Sequence, residues 1–286
     1  MRFLPSGWFL AAVFACGPAP AASLPDFLRS AYATHATVVA GRLSPRLASL
    51  CAAAGVPDTS AANRRALLPV LFLHGLLTTT DAVDGRRGGA FGTAYFWHWV
   101  TPNPRHSLRR LPDSAWLAKL PPPPGFARYR SWADVDRLPE LYLGDLATEA
   151  PRYWHRRYGT LQTFGWCSER EMAFGALLAA WGLKGKIKQE GIHVWTEVVF
   201  DLVDSRGRIR PVAVAFDNTF DTVEAWPLAV PRARWAKDFG DGAQVAWYNQ
   251  VAASEGQAAK VKAIAVGPEA AKRMTVQIAA WASPMP

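Results

Sequence analysis

The hydrophobic period changes along this chain, and the changes mark its elements. From about residue 25 to 40, and again from 44 to 54, apolar residues recur at helical spacing. Ser44-Pro45 has the form of an N-cap followed by a first-turn proline. Leu47, Leu50 and Cys51 then fall on one helical face, which predicts a core position for the Cys51 thiol. "LPVLFLHGLL" at 68–77 is a buried apolar run. It is followed by the Gly-rich "DGRRGGAFG" and by the aromatic, loop-like "YFWHWVTPNPRHSLRRLPD". "PPPP" at 121–124 can be neither helix nor central strand and marks an internal linker.

Beyond the linker the patterns sharpen. "SEREMAFGALLAAWG", 168–182, carries acidic residues in its first turn and turns Met172, Leu177, Leu178 and Trp181 toward an apolar side. With Gly182 at its end, it reads as a helix marked at both termini. "GIHVWTEVVFDLVD" alternates and is rich in β-branched and aromatic residues, the signature of a strand. "DSRG" at 204–207 turns the chain and "RIRPVAVAFDNTFD" brings it back as a second strand. A last helix opens at Gly267-Pro268-Glu269, with Met274, Ile278 and Trp281 on its apolar face. Helices together with an antiparallel hairpin predict an α+β fold.

Composition narrows the class. Of 286 residues half are hydrophobic and 13 are tryptophan, so the chain can build a large core and is not a disordered segment. The N-terminus, "MRFLPSGWFLAAVFACGPAPAAS", has a positive start at Arg2, an apolar run from Trp8 to Ala15 and the A-x-A site Ala19-Pro20-Ala21. That layout predicts a signal peptide over residues 1–21 and an exported chain, periplasmic or extracellular. Processing at Cys16 as a lipoprotein is the secondary reading. The expected organisation is then a mainly helical and loop region at 22–125 and a catalytic domain at 126–286. The apolar run is too short to span a bilayer, and no later uncharged segment reaches the required length.

Thirty-two Lys and Arg against 23 Asp and Glu leave a net charge of +9, which suits association with an anionic surface. The basic residues are scattered rather than massed on one element, so no nucleic-acid partner is expected. The six histidines show no close paired spacing and Cys51 and Cys167 are far apart, so no zinc site is predicted, and no cofactor.

Cys167 stands at the N-terminal end of the marked helix, where unpaired N–H groups and the helix dipole stabilise a thiolate. A nucleophilic thiol needs a base, and the base an orienting acceptor. His193 begins the first strand of the predicted hairpin and Asp217 ends the second, so pairing about "DSRG" makes those two ends neighbours. The order Cys167, His193, Asp217 then follows triad logic: nucleophile, general base, orienting acid.

"GWCSEREMAFGALLAAWGLKGKI", "HVWTEV" and "DNTFD" resemble the core of the transglutaminase-like superfamily of papain-related cysteine hydrolases. The resemblance covers about residues 160–221. It implies a nucleophile at a helix N-terminus packed on an antiparallel sheet carrying the histidine and aspartate. By motif position Cys167 matches the nucleophile, His193 the base and Asp217 the orienting acid. Two departures stand out: Asn218 occupies the usual place of a proline, and the segment between Cys167 and His193 is short. Gln162, five residues before Cys167, is placed like the glutamine of papain-type enzymes and is a candidate oxyanion donor, or else a solvated loop residue. Trp166 and Trp195 flank nucleophile and base and are candidate cleft walls, although tryptophan more often serves as core.

The implied activity is a thiol-dependent amide hydrolase or acyltransferase acting through a thioester, on protein or cell-wall peptide. The alternative is an inactive secreted binding module that keeps the fold. An α/β-hydrolase, suggested by the His-Gly of "LPVLFLHGLL" and the elbow-like "GWCSE", fails because that fold needs its histidine last in chain order, no histidine occurs after His193, and Glu169 stands where the elbow wants a small residue.

Overall fold

The computed structural model describes residues 22–78, 143–144, 147, 153–155, 160–162, 167–190, 193–229 and 255–283. The hairpin expected about "DSRG" is the centre of a four-stranded antiparallel meander. Its strands are β3 (Gly185–Glu190), β4 (His193–Val203), β5 (Ile209–Asp217) and β6 (Thr222–Pro227), in that spatial order. Two shorter strands precede it, β1 (Tyr153–His155) and β2 (Thr160–Gln162), paired antiparallel with each other. Alternation decides the faces of β4: Val194, Thr196, Val198, Phe200 and Leu202 are buried on one side, opposite Val212, Val214 and Phe216 of β5.

The turn between β4 and β5 is tied by one carboxylate. Asp204 Oδ1 accepts from the backbone N–H groups of Arg206 and Arg208, each at 2.9 Å, while Oδ2 takes the Arg208 and Arg210 guanidinium groups at 3.0 Å. The Arg208 amide and then the two arginine side chains hold this carboxyl well below the usual range. Gly207 supplies the left-handed backbone, at φ 74°, that closes the turn.

Six helices are described: α1 (Leu24–Thr34), α2 (Ala36–Ala54), α3 (Ala61–Leu77), α4 (Cys167–Ala180), α5 (Glu255–Lys262) and α6 (Pro268–Ala282). The first break falls at His35, not at Ser44. The helix runs through Ser44-Pro45, contrary to the expected N-cap. Pro45 is exposed, and the carbonyl it orphans belongs to Gly41, itself exposed, so water can replace the lost bond. Val39, Leu43, Leu47, Leu50, Cys51 and Ala54 keep one buried stripe across it, with Cys51 where the spacing put it.

The apolar run at 68–77 is the second half of α3, capped by Ser60 on the Asn63 N–H. It is buried on almost every side, which is why no amphipathic period marks it. A short apolar run does not distinguish a buried strand from a buried helix.

The arrangement is α+β. One hydrophobic core joins α1, α2 and α3 to α4, the sheet and α6. Phe72 of α3 meets Tyr32 of α1 at 5.3 Å and Trp281 of α6 at 5.9 Å between ring centroids. On the other side of α3, Phe174 of α4 meets Phe216 of β5 at 5.6 Å. α6 starts at Gly267-Pro268 and buries Met274 and Ile278 as its spacing predicts. Trp281 is partly buried and lies under the Arg42 guanidinium, 4.8 Å from the ring centroid.

Residues 1–21, Cys16, the proline run and the expected boundary at 125/126 lie outside the described residues. Among the described residues no helix is long and apolar enough to cross a membrane.

Close approach of α3 and α6 depends on Gly75, where a Cβ would lie 2.3 Å from Trp281 Cζ2. Gly75→Ala is therefore expected to destabilise the fold by about 1–3 kcal/mol, the usual range for overpacking, despite alanine's better helix propensity. Urea unfolding midpoints test this, with Gly75→Ala/Trp281→Leu recovering most of the loss. A neutral or stabilising Gly75→Ala would contradict the contact.

Candidate functional site

The hairpin register brings the predicted base and acid together. Thr196 stands opposite Phe216, so Asp217, one residue further, points to the same face as His193 and Trp195. His193 Nε2 lies 2.5 Å from Asp217 Oδ2. The other carboxylate oxygen, Oδ1, accepts from the backbone N–H of Thr219 at 2.9 Å and of Phe220 at 3.1 Å. One oxygen thus anchors the side chain to its own turn and the other is aimed at the imidazole.

Against an ionised Asp217, Nε2 must carry the ring hydrogen, which leaves Nδ1 as the nitrogen able to accept a proton. Two aromatic rings flank the imidazole, Phe220 at 4.9 Å and Trp195 at 6.3 Å between centroids. Trp195 is steadied by its indole N–H on Glu197 Oε1 at 3.2 Å. Phe220 is 45% exposed, so an apolar ring stands at the surface beside the base.

Cys167 is the first residue of α4, and its side chain is buried at 4% exposure. One face of α4 meets the sheet through residues spaced at helical intervals. Glu171 touches Thr196 and Asn218, and Phe174 packs on Phe216. Leu178 reaches Gly185, whose β3 position pairs with Val198. These contacts run away from the His193–Asp217 end of the sheet as the helix proceeds. Cys167, one turn before Glu171 and about 6 Å further along the axis, therefore lies at the end of α4 nearest the strand ends that carry His193 and Asp217. The helix N-terminus gives this thiol a positive backbone environment.

Neither Cys51 nor Cys167 is in a disulfide. Burial first, and then the nearby Asp58 carboxylate, push the Cys51 thiol up to about 11 against a partial offset from Arg64, so it stays protonated and unreactive.

Directly beneath the pair runs a buried polar chain. Glu171, fully buried, accepts the Thr196 hydroxyl at 2.5 Å, the Asn218 backbone N–H at 2.8 Å and the Asn218 side-chain amide at 3.0 Å. The Asn218 amide oxygen faces His74 Nδ1 at 3.1 Å, and His74 is also fully buried. His74 Nε2 lies 3.3 Å from Asp221 Oδ1, an ion-pair separation. Arg46 of α2 grips Asp221 through its side chain at 2.8 Å and its carbonyl at 3.2 Å.

Asp221 adopts a left-handed backbone, φ 56°, in the turn between β5 and β6. Burial alone would raise its carboxyl, but His74 and Arg46 outweigh it and hold the group down at about 2. Glu171 goes the other way, pushed up to about 8 by burial and then by the Asp217 charge, with its hydrogen bonds opposing.

The position where the resembled family has proline now has a physical account. The Asn218 N–H donates to Glu171, and a proline has no N–H to give. Glu171 and His74 carried no signal as site residues in the sequence: they read as a first-turn acid and a lone histidine. Asp221 lies against His74 and not against His193, and Asp201 is exposed on β4.

Gln162 ends β2. Trp166 lies outside the described residues. Among the described residues no group of three or more His, Cys, Asp or Glu side chains is arranged to hold a metal ion. Comparisons with family models, with curated proteins and with solved structures found no match.

Two outcomes follow from these environments. Iodoacetamide on the native protein, with adducts mapped by mass spectrometry, is expected to modify Cys167 well before Cys51; the reverse order would remove Cys167 as the reactive thiol.

The second concerns Glu171, whose folded pKa of about 8 exceeds the ordinary 4.5. Its contribution to stability is full below about pH 4.5 and is lost as pH rises through 8, because the folded state holds a proton that the unfolded state has released. Glu171→Gln is expected to flatten that decline by an amount on the order of a few kcal/mol. Urea midpoints between pH 5 and 8 measure it, and parallel wild-type and variant curves would refute the shift.

Proposed function

We propose that the chain is an exported thiol-dependent amide hydrolase of transglutaminase-like, papain-related architecture, using Cys167, His193 and Asp217. The observation that carries the reading is the His193 Nε2–Asp217 Oδ2 hydrogen bond, which leaves Nδ1 to serve the thiol that opens α4. The motif order in the sequence supports the same assignment, and the N-terminal signal pattern supports export.

In this mechanism the Cys167 thiol passes its proton to His193 Nδ1, and the sulfur attacks the amide carbonyl carbon. The carbon–oxygen π electrons move onto oxygen, where the Cys167 backbone N–H at the helix start can donate, with Gln162 as the candidate second donor. Collapse of the tetrahedral intermediate breaks the C–N bond, and the imidazolium protonates the leaving amine. A thioester remains. His193 then takes a proton from water, the resulting oxygen attacks the thioester carbon, and the thiol and a carboxylic acid are released.

Asp217 holds the ring in the required tautomer and stabilises the imidazolium throughout. Hydrolysis is preferred to transfer because no second acceptor site is specified by the sequence. Peptide bonds in protein or in cell-wall peptide are the substrate class, and the flanking Phe220 and Trp195 rings are suited to apolar groups beside the scissile bond.

Asp217→Asn is expected to lower kcat by about ten- to thousandfold with a smaller effect on KM, because the residue acts on the histidine and not on the substrate. A thiolate already favoured at a helix N-terminus depends less on its base than a serine does, which keeps the loss below that of a serine triad. His193→Ala should cost more, and the double variant little more than His193→Ala alone, since the pair works as a unit. Hydrolysis of peptide pools and of cell-wall peptides, followed by mass spectrometry, provides the assay. Full activity in Asp217→Asn beside an inactive His193→Ala would displace Asp217 from the triad, and activity indifferent to both would end the thiol reading.

A further inference from the structure

The buried chain beneath the pair contains more than packing requires. A single carboxyl, Glu171, is bonded to both strands that present the reacting pair. The Thr196 hydroxyl comes from β4, three residues beyond His193, and both donors of Asn218 come from the residue after Asp217. Displacing Glu171 would release the backbone of Asp217 and the start of β4 together.

Beyond Asn218 sits His74, with its two ring nitrogens facing two oxygens, the Asn218 amide oxygen and Asp221 Oδ1. That arrangement suits an imidazolium, which donates from both nitrogens, and it leaves the Asn218 NH2 to donate to an ionised Glu171. The converse arrangement is also complete. If His74 is neutral and accepts at Nδ1, the Asn218 amide turns over, its NH2 donates to His74, and its oxygen accepts from a protonated Glu171. The amide therefore makes the protonation of Glu171 depend on that of His74.

The charged groups around Glu171 are Asp217 and, beyond it, His193 on the sheet side. His74 from α3 lies behind Asn218, with Asp221 and Arg46 behind His74, and Arg170 adjoins on α4 with its guanidinium on the Leu77 carbonyl.

We propose that Glu171 is a positioning residue for the Asp217–His193 pair and that buried His74, through the Asn218 amide, sets whether Glu171 carries charge. The inference deepens the thiol-hydrolase reading and rests on it for its functional meaning, but the coupling itself is a property of the folded chain. An ionised Glu171 beside Asp217 favours the imidazolium of His193.

The test follows the histidine 13Cε1 resonances of the full exported chain by NMR against pH, with His193 identified by its absence in His193→Asn. Glu171→Gln keeps an acceptor for the Asn218 N–H and removes the charge. The wild-type His193 resonance is expected to show an inflection near pH 8, where Glu171 ionises, and Glu171→Gln to lose it. His74→Gln should move that inflection, and Glu171→Gln/His74→Gln should match Glu171→Gln alone, because both act along one path.

A folded Glu171→Gln in which His193 titrates as in wild type, or additive shifts in the double variant, would overturn the proposal. Should Glu171→Gln fail to fold, Asn218→Ala keeps the backbone N–H on Glu171 and removes only the bridging amide. In that background His74→Gln must no longer move His193, and a persisting shift would overturn the coupling. Alkylation of Cys167 in wild type and His193→Ala separates the two levels. Indifference of the thiol to His193 defeats the hydrolase reading and leaves the titration result standing, whereas an unchanged titration defeats this proposal alone.

Discussion

Burying a carboxyl group away from water is costly unless its oxygens are fully hydrogen-bonded, and Glu171 meets that condition with three donors, one from β4 and two from the turn that follows β5. The rest of the site is organised by this constraint. α4 must lie at the height that brings Glu171 between Thr196 and Asn218, and this height sets where along the sheet Cys167 opens the helix. β4 and β5 must keep the register that presents Thr196 and Asn218 to the same carboxyl, and that register sets His193 beside Asp217 on the opposite face. Glu171, Thr196, Asn218 and His74 are bonded in one chain, so loss of one member leaves others buried and unpaired.

The N-terminal helices are part of this support. α2 contributes Arg46 and α3 contributes His74, and together they hold Asp221 and Asn218 in the turn that follows Asp217. The left-handed backbone at Asp221 is unfavourable for a residue with a Cβ, and the Arg46 and His74 contacts are what hold it there. The aromatic packing of Phe174 and Phe216 against His74 closes the chain off from water, which keeps the polar links short and strong.

The two thiols sit in different environments. Both are buried, yet Cys51 lies on an apolar helix stripe with a carboxylate nearby, and its thiol is pushed up to about 11. Cys167, also buried, is the first residue of α4, at a helix N-terminus.

Much of this was legible in the chain itself because it is encoded over short distances. The alternation of 193–204, the turn residues of "DSRG" and the returning strand sufficed to predict a hairpin that makes His193 and Asp217 neighbours. Capping and period sufficed for α4 and α6, and the spacing of Leu47, Leu50 and Cys51 for a core thiol. Sequence patterns misplaced the helix boundary at Ser44-Pro45, because an exposed proline over an exposed glycine is tolerated. They also left α3 without a type, because an element buried on every side shows no period.

β3 and β6 carried no clear signal, since flanking strands are selected by pairing more than by a hydrophobic face of their own. What only the tertiary structure decided is the meeting of Arg46, His74, Glu171, Asn218 and Asp221. These residues are separated by up to 175 positions, and nothing local distinguishes a histidine that will be buried against an asparagine from one that will face water. Local period determines which side of an element is apolar; which polar groups are buried together is determined only when distant elements pack and each lost contact with water has to be replaced.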